Sequence, residues 1–162
     1  MNLFFGVLYM CDKISICGAE CDNCGFGQNN GCKGCVNSNG CPFGKKCFVF
    51  DYIKIGGKEH FDAFKNQLIT EFNELKIAGM PKITELYPIV GAYVNLAYTF
   101  PNGKEMKLLN DNEIYLCSQV ECEFNDGSFV KCFGLVANTD FLLVSDYGEN
   151  CTDPQLLIFK KR

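Results

Sequence analysis

The twelve cysteines of this 162-residue chain are concentrated near its N-terminus. Eight of them fall within residues 11–47, and the other four are spread over the remainder of the chain. The same segment holds seven of the sixteen glycines, and its only branched aliphatic side chains are Ile14, Ile16 and Val36. Because so little apolar surface cannot offset the entropy lost when a glycine-rich loop is ordered, we expect this segment to depend on a covalent or metal cross-link.

The spacing of these cysteines favours a metal ion as the cross-link. Two pairs have C-x2-C spacing, which lets two thiolates bind one ion, and four thiolates at about 2.3 Å form a closed structural zinc site. Since the chain has a single histidine, His60, such a site must consist almost wholly of cysteine. We therefore predict zinc as the cofactor. The predicted metal ligands are Cys17, Cys21, Cys24, Cys32, Cys35, Cys41 and Cys47, with Cys11 as a further candidate for a second ion.

Two other cross-links could use the same cysteines. A disulfide framework suits the even number of cysteines, but the chain shows no export signal, and a reducing cytosol keeps thiols free. An iron–sulfur cluster also needs four thiolates. The run Cys17-x3-Cys21-x2-Cys24 has the spacing of radical S-adenosylmethionine enzymes, but those enzymes need a partial barrel that this chain does not predict. An iron–sulfur or redox protein is therefore an alternative to the zinc protein.

The hydrophobic pattern after the cysteines predicts two helices and then a sheet. The first helix covers about residues 45–55 and stops at Gly56-Gly57. The second carries an apolar stripe from Phe61 to Leu75 and ends with Gly79 and Pro81. After Pro88 the period changes to two, and turn signals separate strand-like runs at 114–120, 128–136, 141–145 and 155–160. The sequence Asn102-Gly103 predicts a hairpin, with the strand before it covering 94–100.

These patterns predict an α+β fold. It comprises a cysteine-rich metal-binding knuckle and two helices, followed by an antiparallel β-meander of five or six strands. We expect the organisation to be a metal-binding module over 11–57, a core helix over 58–80 and a sheet region over 88–162, with the sheet and helices forming one compact unit.

Charge and hydrophobicity limit the partners and the location. Fifteen basic and nineteen acidic residues give a net charge of −4, and residues 11–47 contain no arginine, so phosphate-driven binding of nucleic acid is not expected. Residues 2–10 are apolar but much shorter than a membrane span, and they lack the basic start and cleavage site of a signal peptide. We expect a cytoplasmic protein with a protein partner and no membrane or nucleic-acid contact; the sequence identifies no small-molecule ligand.

The cysteine segment resembles a known family. The resemblance covers roughly residues 14–55 and rests on Cys17-Gly18-x2-Cys21-x2-Cys24, on Cys32-Lys33-Gly34-Cys35, and on Cys41 and Cys47 at the head of a helix. In this pattern the chain resembles the cysteine-rich family known as domain of unknown function 3795. The resemblance implies a small bacterial or archaeal zinc-binding protein with no established activity.

The remaining candidate residues favour structural roles. The four late cysteines have no metal-binding spacing and are predicted to be core thiols; they are Cys117, Cys122, Cys132 and Cys151. His60 is predicted to be exposed and inert. Asp146 and Glu149 are predicted to be turn residues, and no nucleophile–base pair or phosphate loop is present. The sequence thus favours a zinc-binding interaction or regulatory module over an enzyme; an enzyme with a site on the β-sheet region is the alternative.

Overall fold

A computed structural model of the protein describes residues 34–41, 44–94, 96–123, 129–148 and 154–162. The chain divides into two compact units, Met1–Phe61 and Asp62–Arg162. None of the helices in these ranges combines the length and hydrophobicity that a membrane span requires.

Both described helices begin in the first unit, which contains the cysteine-rich segment. Helix α1 covers Gly34–Asn37, and helix α2 covers Phe48–Glu74 with a non-helical backbone at Gly57 (φ 75°, ψ −177°). The two helices predicted from the sequence therefore follow each other directly, with only Gly57 between them. Glycine adopts a positive φ without strain, and the backbone is helical again in the residues after it. Helix α2 ends at Glu74, before the predicted Gly79, and Lys76 takes the left-handed conformation (φ 50°).

The described residues of the second unit comprise the end of α2, seven strands and one short 3₁₀ turn. The strands are β1 (Tyr87–Val90), β2 (Ala97–Thr99), β3 (Glu105–Lys107), β4 (Ile114–Glu123), β5 (Phe129–Ala137), β6 (Phe141–Asp146) and β7 (Gln155–Lys161), and the 3₁₀ turn is Gly91–Tyr93. Five strands form an antiparallel sheet in the order β1-β4-β5-β6-β7, and β2 and β3 form a separate hairpin. The α+β fold predicted from the sequence is thereby confirmed.

The strand predictions are confirmed for β4 to β7, whereas the strands that precede β4 differ from the prediction. Those four strands lie on the four predicted runs and form a meander. The predicted strand over 94–100 is wrong in length, because its described residues pair in a strand only at Ala97–Thr99. Leu96 is buried in the core, and the partly buried Val94 packs against it. Strand β1 lies in a segment for which the sequence predicts no strand, and it pairs with β4, which follows the β2–β3 hairpin in the chain. The five-stranded sheet is therefore not a simple meander.

Strand β1 lies at one edge of the sheet and contains a proline. The Gly91 N–H donates to the Glu113 carbonyl at 2.8 Å, and Val90 is opposite Ile114 in the register. Because hydrogen-bonded and non-bonded pairs alternate in an antiparallel ladder, the pair Pro88–Leu116 is non-bonded. The backbone nitrogen of Pro88 therefore points away from β4, which is where a strand tolerates proline.

The sheet is buried on both faces. On the first face, Tyr115, Cys117, Val136 and Leu143 form a core cluster with Leu96 and Leu109 from the segments that flank the hairpin. The opposite face carries fully buried side chains of β4 to β6, and helix α2 buries Phe64, Leu68 and Phe72. Two polar contacts connect α2 to the sheet region: Arg162 binds Glu71, and Asn73 binds the backbone of Ile83. These contacts hold the part of α2 that belongs to the second unit beside the sheet region.

Candidate functional site

The predicted metal ligands divide into two groups. Cys35, Cys41 and Cys47 belong to the described part of the chain. The other predicted ligands lie outside the described residues; they are Cys17, Cys21, Cys24 and Cys32, together with Cys11.

Cys35 and Cys47 are brought together through the backbone of one glycine. The Gly40 N–H donates to the Cys35 carbonyl, and the Cys47 N–H donates to the Gly40 carbonyl, both at 2.8 Å. Both cysteines are buried, each only 7% exposed. Gly40 has φ +83°, and a Cβ atom there would lie 2.5 Å from the Phe50 ring, so both the conformation and the packing require glycine. This part of the chain is therefore fixed in one shape.

Cys41 starts a tight turn beside them. Its N–H donates to the Ser38 carbonyl at 3.1 Å, and its carbonyl accepts from the Gly44 N–H at 3.1 Å. Gly44 has φ +75°, a conformation that favours glycine. The Cys41 side chain is exposed, unlike those of Cys35 and Cys47.

The donor set that the structure describes is thiol-rich but incomplete. Within the described ranges, no three histidine, cysteine or acidic side chains form a group that could hold a metal ion. The His60 ring is exposed and stacks on Tyr52, with 5.1 Å between ring centroids. Two buried thiols suit a zinc or iron–sulfur site, and its other ligands would have to include residues outside the described ranges.

Two of the four late cysteines have described side chains, and both have the predicted burial. Cys117 and Cys132 are 5% and 1% exposed, which confirms that they are core thiols. Burial raises the pKa of Cys117 to about 12, so this thiol stays protonated at neutral pH. The Asp146 Oδ1 accepts from the Gly148 N–H at 2.8 Å, which is a turn contact of the predicted kind. The side chain of Cys122, and Glu149 and Cys151, are not among the described groups.

Sequence reasoning missed a cleft on the first face of the sheet. It has a volume of about 520 Å³ and lies over β4 and β5, beside β1 and the 3₁₀ turn. Three tyrosines line it, Tyr87, Tyr93 and Tyr147, together with Cys117 and Gln119. The described lining residues come from four separate segments of the sequence, 87–94, 117–119, 132–136 and Tyr147, so no local motif predicts the cleft. The exposed aromatic residue before Pro88 was the one available hint.

Comparisons with family models, with curated protein sequences and with solved structures give no match to this chain. The resemblance to domain of unknown function 3795 therefore stays a prediction.

Proposed function

We propose that the protein is a zinc-binding module that acts through contact with another protein. The observation that carries the proposal is the pair Cys35 and Cys47, both buried and both hydrogen-bonded through the backbone of Gly40. Buried thiols at fixed positions in a glycine-rich segment are what a structural zinc site requires. The remaining thiolates would come from Cys17, Cys21, Cys24, Cys32 and Cys41.

Metal analysis of the purified protein tests the zinc assignment. Protein made in a reducing cytosol should contain at least one zinc per chain and little iron, and Cys35→Ser and Cys47→Ser should each lower the zinc content. Cys117→Ala is the matched control, because it removes a buried thiol outside the module and should leave the zinc unchanged. Brown protein with iron and inorganic sulfide would instead establish the iron–sulfur alternative. Metal-free protein with unreactive thiols would indicate disulfides.

The protein-contact part of the proposal is supported by apolar side chains on the surface of the same unit. Ile55 is 82% exposed and Val36 is also exposed, and such side chains suit contact with a protein more than with a polyanion. A photo-crosslinking residue at position 55 should capture a discrete partner in cells, whereas one at the exposed Lys58 should capture less. If the Cys47→Ser variant gives the same crosslinks, the contact does not depend on the zinc module.

A further inference from the structure

The cleft on the sheet has a wall that is fixed in place by the chain itself. The Tyr147 N–H donates to the Cys132 carbonyl at 2.8 Å. A Cβ atom on Gly134 would lie 2.5 Å from the Tyr147 ring and 3.0 Å from the Ser145 hydroxyl oxygen. The tyrosine ring therefore lies directly over a residue that has no side chain. The wall is formed before any ligand arrives, which lowers the cost of binding.

The rim of the cleft carries two exposed aromatic rings. Tyr87 is 59% exposed and Tyr93 is 57% exposed, although both are large and largely apolar. Tyr87 is opposite Cys117 in the register, so both side chains lie on the same face of the sheet. Flat rings at the rim and a ring at the wall are suited to stacking on a flat molecule.

None of the described residues that line the cleft has a charged side chain, and the acidic Glu121 accepts a hydrogen bond from Gln119 beside them. An ion that entered would lose its hydration without gaining an opposite charge, so the cleft disfavours charged ligands. The Tyr87 hydroxyl and the Gln119 amide oxygen face a ligand as hydrogen-bonding groups, and Ile89, Val94 and Val136 supply apolar surface. The volume of about 520 Å³ is ample for a molecule of two or three fused rings.

The buried thiols of the cleft do not point to catalysis. Cys117 stays protonated because it is buried, so it supplies no thiolate nucleophile. Among the described residues that line the cleft, there is no histidine, aspartate or glutamate to act as a base. The geometry therefore suits binding of a small molecule.

We infer that this cleft is a binding site for an uncharged, flat aromatic molecule that carries a hydrogen-bonding group. The described residues that line this site all belong to the second unit, whereas the proposed zinc ligands belong to the first, so separate variants test the two proposals.

The fluorescence of 2-naphthol provides a direct test. The chain has no tryptophan, so the probe can be excited where the protein does not absorb. We expect saturable binding with one naphthol per chain. The charged analogue naphthalene-2-sulfonate should bind at least about tenfold more weakly, because the cleft offers its charge no partner.

Rim variants locate the binding. The double variant Tyr87→Ser with Tyr93→Ser should weaken naphthol binding about tenfold, because two stacking surfaces are lost. Tyr98→Ser is the matched control; Tyr98 is an exposed tyrosine on the β2–β3 hairpin, away from the cleft, and its loss should leave the affinity unchanged. Circular dichroism of each variant checks the fold, and in the wild type naphthol should shift the amide resonance of Gly134 and leave that of Gly103 in place.

Three results would overturn the inference. They are the absence of saturable naphthol binding, equal affinity for the sulfonate, and an equal loss of affinity in Tyr98→Ser. If the double variant does not fold, the resonance shifts of the wild-type protein decide, since shifts that avoid Gly134 place the probe elsewhere.

Discussion

Both backbone groups of Ile83 are bound by one side chain, that of Asn73. Its amide nitrogen donates to the Ile83 carbonyl at 3.0 Å, and its oxygen accepts from the Ile83 N–H at 2.9 Å. Ile83 is itself buried. The side chain thus takes the place of a neighbouring strand and holds the connector that follows α2.

We expect Asn73→Ala to lower the free energy of unfolding by about 2 kcal/mol, because two partly buried backbone groups lose their partners. Urea unfolding followed by circular dichroism measures the loss. Asn66→Ala is the control: Asn66 is an exposed asparagine of the same helix, and its replacement should change stability by less than about 0.5 kcal/mol. Equal effects in the two variants would mean that the Ile83 contact contributes nothing.

Arg162 and Glu71 form a second long-range contact. The Arg162 Nε and Nη2 donate to the two oxygens of Glu71 at 3.0 and 2.9 Å, and the guanidinium lies 5.0 Å from the centroid of the Phe64 ring. The hydrogen bond from Arg162 lowers the pKa of Glu71 below 4.5 despite partial burial. A lowered pKa means that the contact stabilises the fold fully above the unfolded-state pKa and is lost as the pH falls through the folded-state value.

Glu71→Gln should therefore cost about 1–2 kcal/mol near neutral pH and progressively less in acid, where the wild-type carboxylate is protonated too. Unfolding curves at about pH 7 and about pH 3 test this. The exposed Glu74 is the control, and Glu74→Gln should leave the pH dependence as it is in the wild type. A Glu71→Gln curve parallel to that of the wild type over this range would contradict the assignment.

At the scale of elements, the Gly134–Tyr147 contact between β5 and the end of β6 sets a packing limit. Gly134→Ala should lower stability by about 2 kcal/mol, because its methyl group would meet the Tyr147 ring. In a Tyr147→Ala background the same substitution should cost at least about 1 kcal/mol less, which a double-mutant cycle measures.

Gly103→Ala serves as the control for this cycle. Gly103 has φ +79° and open space around its Cα atom, so alanine there is strained by the backbone and not by a neighbour. Its cost should be the same with or without Tyr147. Additive effects of Gly134→Ala and Tyr147→Ala would show that the ring moves aside freely.

The elements that the sequence predicts well are those bounded by strong local signals. Strands β4 to β7 lie between Asn-, Asp- and Gly-containing turns, and the Asn102-Gly103 turn joins β2 and β3. Strand β1 was missed because Pro88 argues locally against a strand, whereas its pairing with β4 is a long-range contact. The break at Gly57 was predicted, but the immediate resumption of the helix depends on residues that come after it.

The two candidate sites also differ in how far the sequence alone predicts them. The cysteines of the proposed zinc module can be picked out in the sequence because metal ligands are spaced locally, as in Cys32 and Cys35. The cleft is invisible there, because Gly134 and Tyr147 meet only when the register of β5 against β6 is set. Local chemistry could be predicted, whereas a cavity formed by pairing could not.

At the scale of the whole molecule, the two compact units should respond differently to metal removal. The sheet unit has its own core around Leu96, Tyr115 and Val136, whereas the cysteine-rich segment has few apolar side chains. Structural zinc contributes about 10–16 kcal/mol of apparent binding free energy near neutral pH. Loss of the ion should therefore unfold residues 11–47 and leave the sheet folded.

Limited proteolysis with and without a chelator tests this expectation. After chelation, cleavage should begin within residues 11–47 and leave a resistant fragment that starts near α2, and added zinc should restore protection. Circular dichroism should retain its strand signal throughout. Simultaneous digestion of both units would contradict independent cores, and full protection of 11–47 after chelation would contradict the zinc assignment.

The outward position of Pro88 has a consequence for how these molecules behave in concentrated solution. An edge strand offers its free N–H groups to any strand that approaches, and fibrils grow in this way. At this edge the pyrrolidine ring of Pro88 stands in place of an outward-facing backbone N–H, and β1 is only four residues long. A second chain therefore cannot complete a ladder against β1, so Pro88 protects this side of the sheet from growing into an aggregate.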